Sequence, residues 1–381
     1  MMELGQMNLT LVILKIYLIN YNLLVNFLLK KISYSFLVIF GVLTIVFFLF
    51  NVLPGDPARM MLDKREDSKQ LEIIKKKYGF DKPIFTQYLF YLNDLSIVSI
   101  HSNNLNSFTF LDDKKYSFSK ILDVNNYSIV LKKPYLRTSF VKSNLKVSTI
   151  IKSTFPNTFL LAFLAILFGL TFGLIFGVFS ALNKDRLIDR VILYFSVTGM
   201  ALPSFFSAII IAWIFGYVLN AYTGLNMTGS LYEIDDYGIS RTVQFKNIIL
   251  PAITLGIRPL AVIIQLSRNS LLEVLSMDYI RTAKAKGLNK FIIVFKHALR
   301  NSLNPVITAV SGWFASLLAG AVFVEYIFAW NGLGKEIVDA LNNMDLPVVM
   351  GSVIFISLIF VIINILVDLI YAWIDPRVRI E

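Results

Sequence analysis

The sequence predicts an all-α polytopic membrane protein: six spanning helices, an N-terminal amphipathic helix and a small extracytoplasmic insertion. Three observations lead there. Of 381 residues, 56% are hydrophobic and only 16% charged, where a soluble domain carries about a quarter charged. The apolar residues fall in blocks long enough to cross a bilayer, which takes about 20 residues as a helix. The loops between those blocks differ in charge from one side to the other, as membrane orientation requires.

Net charge is +11. In a soluble chain that excess would suggest nucleic acid; here it sits beside apolar blocks, so membrane lipid is the expected partner and nucleic acid is not. There is no Cys, and His101 and His297 are the only histidines, which removes disulfides, thiolate catalysis and Cys- or His-rich metal centres. No cofactor or metal is expected. The stretch Gly332-Leu333-Gly334-Lys335-Glu336 lacks the earlier glycine and the hydroxyl residue of a phosphate-binding loop. Any ATP would therefore bind to another chain, and no catalytic triad is visible to make this one an enzyme.

In chain order, residues 1–31 place Asn8, Lys15, Asn22, Asn26 and Lys30 on one narrow helical stripe among Leu, Ile, Val and Phe. That pattern predicts an interfacial helix, with a seventh span as the alternative. The first span covers residues 32–53. Further spans follow at Ser153–Leu182, Val191–Leu219, Asn247–Ser267, Asn301–Val324 and Leu346–Val367. Without water to satisfy the backbone, each must be helical. Pro203, Pro251 and Pro259 are expected to kink or delimit their helices.

Lys30 and Lys31, Lys184, Arg186 and Arg190, the basic run from Arg268 to Arg300, and Arg377 with Arg379 all fall on one side. The other short loops are mixed or acidic, with Glu233, Asp235 and Asp236 in one and Glu336, Asp339 and Asp345 in the other. The positive-inside rule puts both termini in the cytoplasm of a cell-membrane protein. The loop 54–152 then lies outside; it exceeds the roughly 60-residue range in which loop charge sets topology. A helical stretch at Ser68–Tyr78 and β-branched or aromatic runs such as Tyr127–Leu131 suggest that it is folded. The remainder, 153–381, is expected to form a five-helix membrane body.

Small residues recur every four positions at Ala165, Gly169, Gly173, Gly177 and Ala181, and again at Gly312, Ser316 and Gly320. Such ridges let helices approach closely in lipid, and packing within the chain is the expectation for both. Ionisable residues near membrane depth, Arg258, Glu325 and Asp368, are candidates either for the transport path or for helix-end caps. No substrate-path residue is identified.

The segment 271–300 stands apart. Asp278 or Ser276 can cap a short helix, Ile280 and Ala283 share one face, and Lys284 and Lys286 suit its negative end. Gly287 is placed to end it in the left-handed conformation, with Leu288 beyond. A basic loop of this kind either only orients the protein or docks a partner.

Arg281-Thr282-Ala283 with Gly287 resembles the Glu-Ala-Ala-x-x-x-Gly loop of ABC importer permeases, in the divergent form found in dipeptide, oligopeptide and nickel permeases. Leu53-Pro54-Gly55-Asp56-Pro57, Tyr78 to Pro83, Pro156-Asn157-Thr158, Leu202 to Phe205, Leu250-Pro251-Ala252, Glu325 with Phe328, Gly332-Leu333-Gly334 and Asp375 to Arg379 extend the likeness in order. Asn331 stands where Pro is frequent, and the segment 93–146 is an insertion. The resemblance implies a type I ABC importer transmembrane domain, first-permease type. It further implies a second, similar permease, two cytoplasmic ATP-binding subunits and an extracytoplasmic solute-binding protein. On that likeness Asp278, Tyr279, Arg281, Ala283, Lys284, Gly287 and Leu288 would couple to the ATPases, with Ala283 and Gly287 in an ATPase groove. Oligopeptides or dipeptides are the expected cargo, nickel chelates or another small solute the alternative. An ion-gradient-driven transporter is the reading from another class; it would need paired charges at mid-membrane.

Overall fold

The computed structural model describes residues 29–51, 68–104, 107–113, 115–142, 145–234 and 241–374. Most of the expected N-terminal helix, and the motifs at 53–57 and 375–379, lie outside these residues. Helix α1 (Leu29–Asn51) is the first apolar span. A folded insertion follows, with α2 (Ser68–Tyr78), α3 (Ile84–Leu95) and strands β1 (Val98–Ser102), β2 (Phe118–Val124) and β3 (Tyr127–Lys132). The strands form an antiparallel sheet in the order β1-β3-β2.

The membrane body contains α4 (Val147–Leu182), α5 (Leu187–Ala201), α6 (Ser204–Val218) and the short α7 (Asn220–Thr223). A two-stranded hairpin, β4 (Tyr232–Ile234) with β5 (Arg241–Val243), leads into α8 (Lys246–Leu275) and then α9 (Asp278–Ala285). After these come α10 (Lys290–Ser302), α11 (Asn304–Gly320), α12 (Val322–Ile327), α13 (Leu333–Asn342) and α14 (Leu346–Ile374). Four helices, α1, α4, α8 and most of α14, are long and apolar enough to cross a membrane singly. The pairs α5–α6 and α10–α11 reach that standard only when joined, which gives up to six spans.

Those pairs correct the simple reading of the third and fifth spans. Between α5 and α6 the chain turns by 110°. Leu202 and Pro203 are both extended, at ψ 130° and 140°, because proline disfavours a helical residue before it and offers no N–H to the turn. The α10–α11 pair bends by 52° at Leu303, next to Pro305 in the first turn of α11. Pro251 and Pro259, by contrast, delimit nothing; both lie within the continuous α8.

The body is organised around α4 against α8. A Cβ added at Gly173 would stand 2.7 Å from Ile263 Cγ2, and one at Gly177 would overlap Ser267 Oγ. From the other side, a Cβ at Gly256 would be 2.6 Å from the Ala165 carbonyl oxygen. Gly169 likewise faces the backbone of Gly256 and Leu260. The two backbones are in near contact over several turns. The Gly312–Gly320 ridge behaves differently, contrary to the expectation of packing within the chain. A Cβ at either glycine meets no atom within 4 Å, and Gly312, Ser316 and Gly320 are all exposed.

At one end of the body, distant motifs meet. Trp330 is fully buried and donates from Nε1 to the Asn157 carbonyl at 3.1 Å. Asn157 Nδ2 donates to the Asn331 carbonyl at 2.7 Å, and Leu333 N–H to Thr158 Oγ1 at 2.8 Å. Glu325 Oε2 accepts from the N–H groups of Gly334 and Lys335 at 2.7 and 3.1 Å, so it caps α13. Asp368 pairs with Lys31 at 2.5 Å. Arg258 is exposed and makes no polar contact among the described residues.

The two glycine ridges give opposite expectations. Gly173→Leu should force α4 from α8 and lower the abundance and melting temperature of the chain, by about 1–3 kcal/mol of overpacking. Gly312→Leu should leave both unchanged in the isolated chain. Equal behaviour of the two variants in a detergent melting assay would contradict this packing.

Candidate functional site

The loop 271–300 forms a helical hairpin seated on the ends of α4 and α8. Helix α9 has only eight residues, too few to hold itself together in water, so its stability must come from contact. Ile280 is fully buried and Ala283 is 7% exposed. They pack with Val178 and Ala181 of α4, Leu271 and Val274 of α8, and Ile293, Val294 and Ala298 of α10. Four helices thus share one apolar cluster.

The end of α9 is a two-bond reverse turn. Leu288 N–H donates to the Ala283 carbonyl at 3.3 Å and Gly287 N–H to the Lys284 carbonyl at 3.0 Å, the Schellman arrangement. Gly287 has φ +73°, a conformation that a β-branched residue tolerates poorly. Asn289 then caps α10, its side chain accepting from Phe291 N–H at 3.1 Å. The start of α9 departs from expectation. Neither Asp278 nor Ser276 caps it: Met277 occupies that position without a side-chain bond. Ser276 Oγ instead donates to the Glu273 carbonyl at 2.6 Å, and Asp278 pairs with Arg281 at 3.3 Å on the surface. An exposed pair of that kind contributes little. Tyr279 is bound at its hydroxyl by Asn301 Nδ2 at 2.9 Å, which ties α9 to the far end of α10.

Ala283 is therefore corrected. It faces the protein's own helices and is not available to a partner's groove. The outward surface is made by Tyr279, Arg281, Lys284, Lys286 and Leu288, with Phe291, Ile292 and Phe295 beside them. Phe291 is 66% exposed and its ring lies 4.4 Å from that of Phe295. An apolar centre with a basic rim suits a protein partner.

A second group lies close by. Arg268 of α8 grips Asp189 of α5 with Nε on Oδ1 and Nη2 on Oδ2, both at 2.7 Å. Ser180 Oγ and the Asp185 N–H complete the carboxylate's shell. The Asp189 side chain is 3% exposed and that of Arg268 14%. This fork holds the α4–α5 turn to the end of α8, next to the apolar seat of α9.

The model for the binding-protein-dependent transport system inner membrane component matches residues 173–380, and its N-terminal counterpart matches residues 24–107. The chain belongs to this family. The membrane component is 32% identical over 357 residues to the dipeptide transport system permease protein DppB of Lactococcus lactis subsp. cremoris, covering 94% of this chain and 100% of that one. It is 29% identical over 356 residues to the glutathione transport system permease protein GsiC of Escherichia coli K12, covering 93% and 99%. A solved structure described as inward-facing conformations of the MetNI methionine ABC transporter overlays 60% of this chain and 97% of its own at TM-score 0.47 and 18% identity.

Sequence reading missed two features of the membrane component's loop. Asp189 and Arg268 are 79 positions apart; Arg268 read only as the start of a basic run, and nothing local marked Asp189. The apolar run Phe291 to Phe295 inside a basic loop was the available signal for the exposed aromatic pair.

Replacing Asp189 with Ala would strand the Arg268 guanidinium, and we expect a loss of roughly 3 kcal/mol, typical of breaking a buried pair. Adding Arg268→Ala should restore part of it. A double variant as unstable as the sum of the singles would show that the two charges act independently.

Proposed function

We propose that this membrane component is one half of the translocation path of an ATP-driven importer of short peptides. The full-length likeness to permeases named for dipeptide transport carries this reading. The charge asymmetry supports cytoplasmic termini and a hairpin α9–α10 inside the cell, where two ATP-binding subunits would meet it. A second, similar permease would cover the exposed Gly312-Ser316-Gly320 stripe of α11, and a solute-binding protein would deliver cargo from outside.

The hairpin's construction suits coupling. A partner pressing on Leu288, Phe291 and Phe295 pushes a rigid unit, because α9 shares its apolar core with α4, α8 and α10. Movement is then passed to three spans together rather than absorbed by a loose loop. Rigid-body motion of this kind can drive alternating access.

Reconstituted with its partners in proteoliposomes, the wild-type complex should take up labelled dipeptide faster than free leucine or nickel. Gly287→Val, and Phe291→Ala combined with Phe295→Ala, should insert normally, yet lose most uptake and the stimulation of ATP hydrolysis by loaded binding protein. Lys284→Ala should retain most of both. Wild-type uptake by the Gly287 and Phe variants would reduce the hairpin to a charge anchor.

The chain has no native Cys, so single-cysteine labelling reads orientation cleanly. Cysteine replacing Asn104 should react from outside the cell and cysteine replacing Asn289 only from within. The reverse pattern would overturn the orientation.

A further inference from the structure

The insertion between the first two spans contains a cavity of about 270 Å³ that plays no part in the coupling hairpin. Its walls are aromatic: Tyr78, Phe108, Tyr135 and Phe140. Lys115, Arg137 and Asp94 also reach it. The volume lies near the lower edge of the range for small-molecule sites, enough for a ligand about the size of one or two amino-acid residues.

The charges in this cavity do not cancel. Asp94, 5% exposed, is fully engaged: Oδ1 accepts from the Tyr116 hydroxyl at 2.9 Å and Oδ2 from Arg137 Nε at 3.1 Å. Its backbone carbonyl accepts from Lys132 Nζ and from Tyr135 N–H. One carboxylate thus answers one guanidinium. Lys115 is left over. Its Nζ sits over the rings of Phe108, Tyr116 and Tyr135 at 5.5, 5.0 and 5.3 Å, and among the described residues no carboxylate lies within ion-pair distance of it. Ring faces attract an ammonium but accept no strong hydrogen bond. Burial pushes the Lys115 ammonium below its usual range, and the more distant charges of Asp94 and Asp112 offset this only in part.

Arg137 adds an independent sign. Its φ is +65°, a left-handed backbone that a non-glycine residue adopts at a cost. The turn is fixed because Val147 N–H donates to the Arg137 carbonyl at 3.1 Å where α4 begins. The guanidinium lies over Tyr91 at 5.2 Å and uses only Nε on Asp94. Its terminal N–H groups have no acceptor among the described residues.

We propose that this cavity binds a small apolar monocarboxylate, its carboxylate between Lys115 and the Arg137 terminal nitrogens and its side chain among Tyr78, Phe108 and Phe140. A C-terminal amino-acid residue with a blocked amine fits that chemistry. A free amino acid fits less well, since its ammonium would enter a cavity already carrying one uncompensated positive charge. The inference stands on the insertion's geometry alone and is independent of what the permease carries.

The test is calorimetric titration of the full chain in lipid nanodiscs with three probes: N-acetyl-leucine, its uncharged amide, and leucine. N-acetyl-leucine should bind at one site per chain, and the amide at least tenfold more weakly, about 1.4 kcal/mol. Lys115→Met keeps the bulk of the side chain and should reduce acid binding to the level of the amide without lowering the melting temperature. Lys115→Arg should retain binding. Leucine should bind more weakly than the acetylated form; leucine binding as tightly would overturn the assignment to a monocarboxylate with a blocked amine. Equal binding of acid and amide, or undiminished binding to Lys115→Met, would overturn the proposal. So would absence of binding by the wild-type chain; if Lys115→Met then weakened association with a solute-binding protein, the cavity would be a docking contact instead.

Discussion

The close approach of α4 and α8 is the constraint on which the rest of the membrane body depends. In lipid no hydrophobic force drives two apolar helices together, so association must come from packing and from polar contacts between them. Glycines at 169, 173 and 177 on one helix and at 256 on the other remove the side chains that would hold the backbones apart. Ser267 fits where a larger residue could not, with its hydroxyl returned to the Ile263 carbonyl at 2.6 Å. Once these two long helices are joined, their shared end provides the platform for the Asp189–Arg268 fork and for α9.

That platform explains why so short a helix holds its place. Helix α9 has two inward residues, Ile280 and Ala283, and neither could order eight residues alone. Both are received by side chains from three longer helices, while the Gly287 turn sends the chain directly back into α10. The outward face is thereby freed for a partner. Rigidity on the inner side and exposure on the outer side are two consequences of one packing arrangement.

At the other end of the body, order depends on hydrogen bonds between segments far apart in the chain. Asn157 and Thr158 of α4 bind the turn at Trp330–Leu333, and Glu325 satisfies the free N–H groups of α13. A Cβ at Gly332 would fall 2.4 Å from the Glu325 carboxyl oxygens, so the glycine is required by the buried acid. The insertion is joined to this region through Asp345, which accepts from Phe140 N–H at 3.0 Å.

Fold class, membrane residence and the Gly287 turn were legible from residues close in sequence. Apolar run length selects a spanning helix because the bilayer supplies no water to the backbone, and a glycine after a basic turn marks a helix end; both are local physics. The family could also be read, because its motifs are short and lie in a fixed order. What could not be read depends on contacts between distant residues. The two small-residue ridges have the same four-residue spacing, yet one meets α8 and the other is exposed among the described residues, since spacing defines a face but not its neighbour. Ala283 could not be placed inward or outward without knowing that α4 ends beneath it. Asp189 and Arg268, on different helices, are unremarkable charges until folding puts them 2.7 Å apart. Lys115 likewise becomes distinctive only when folding brings the rings of Phe108, Tyr116 and Tyr135 around its ammonium, with no carboxylate among the described residues within ion-pair distance.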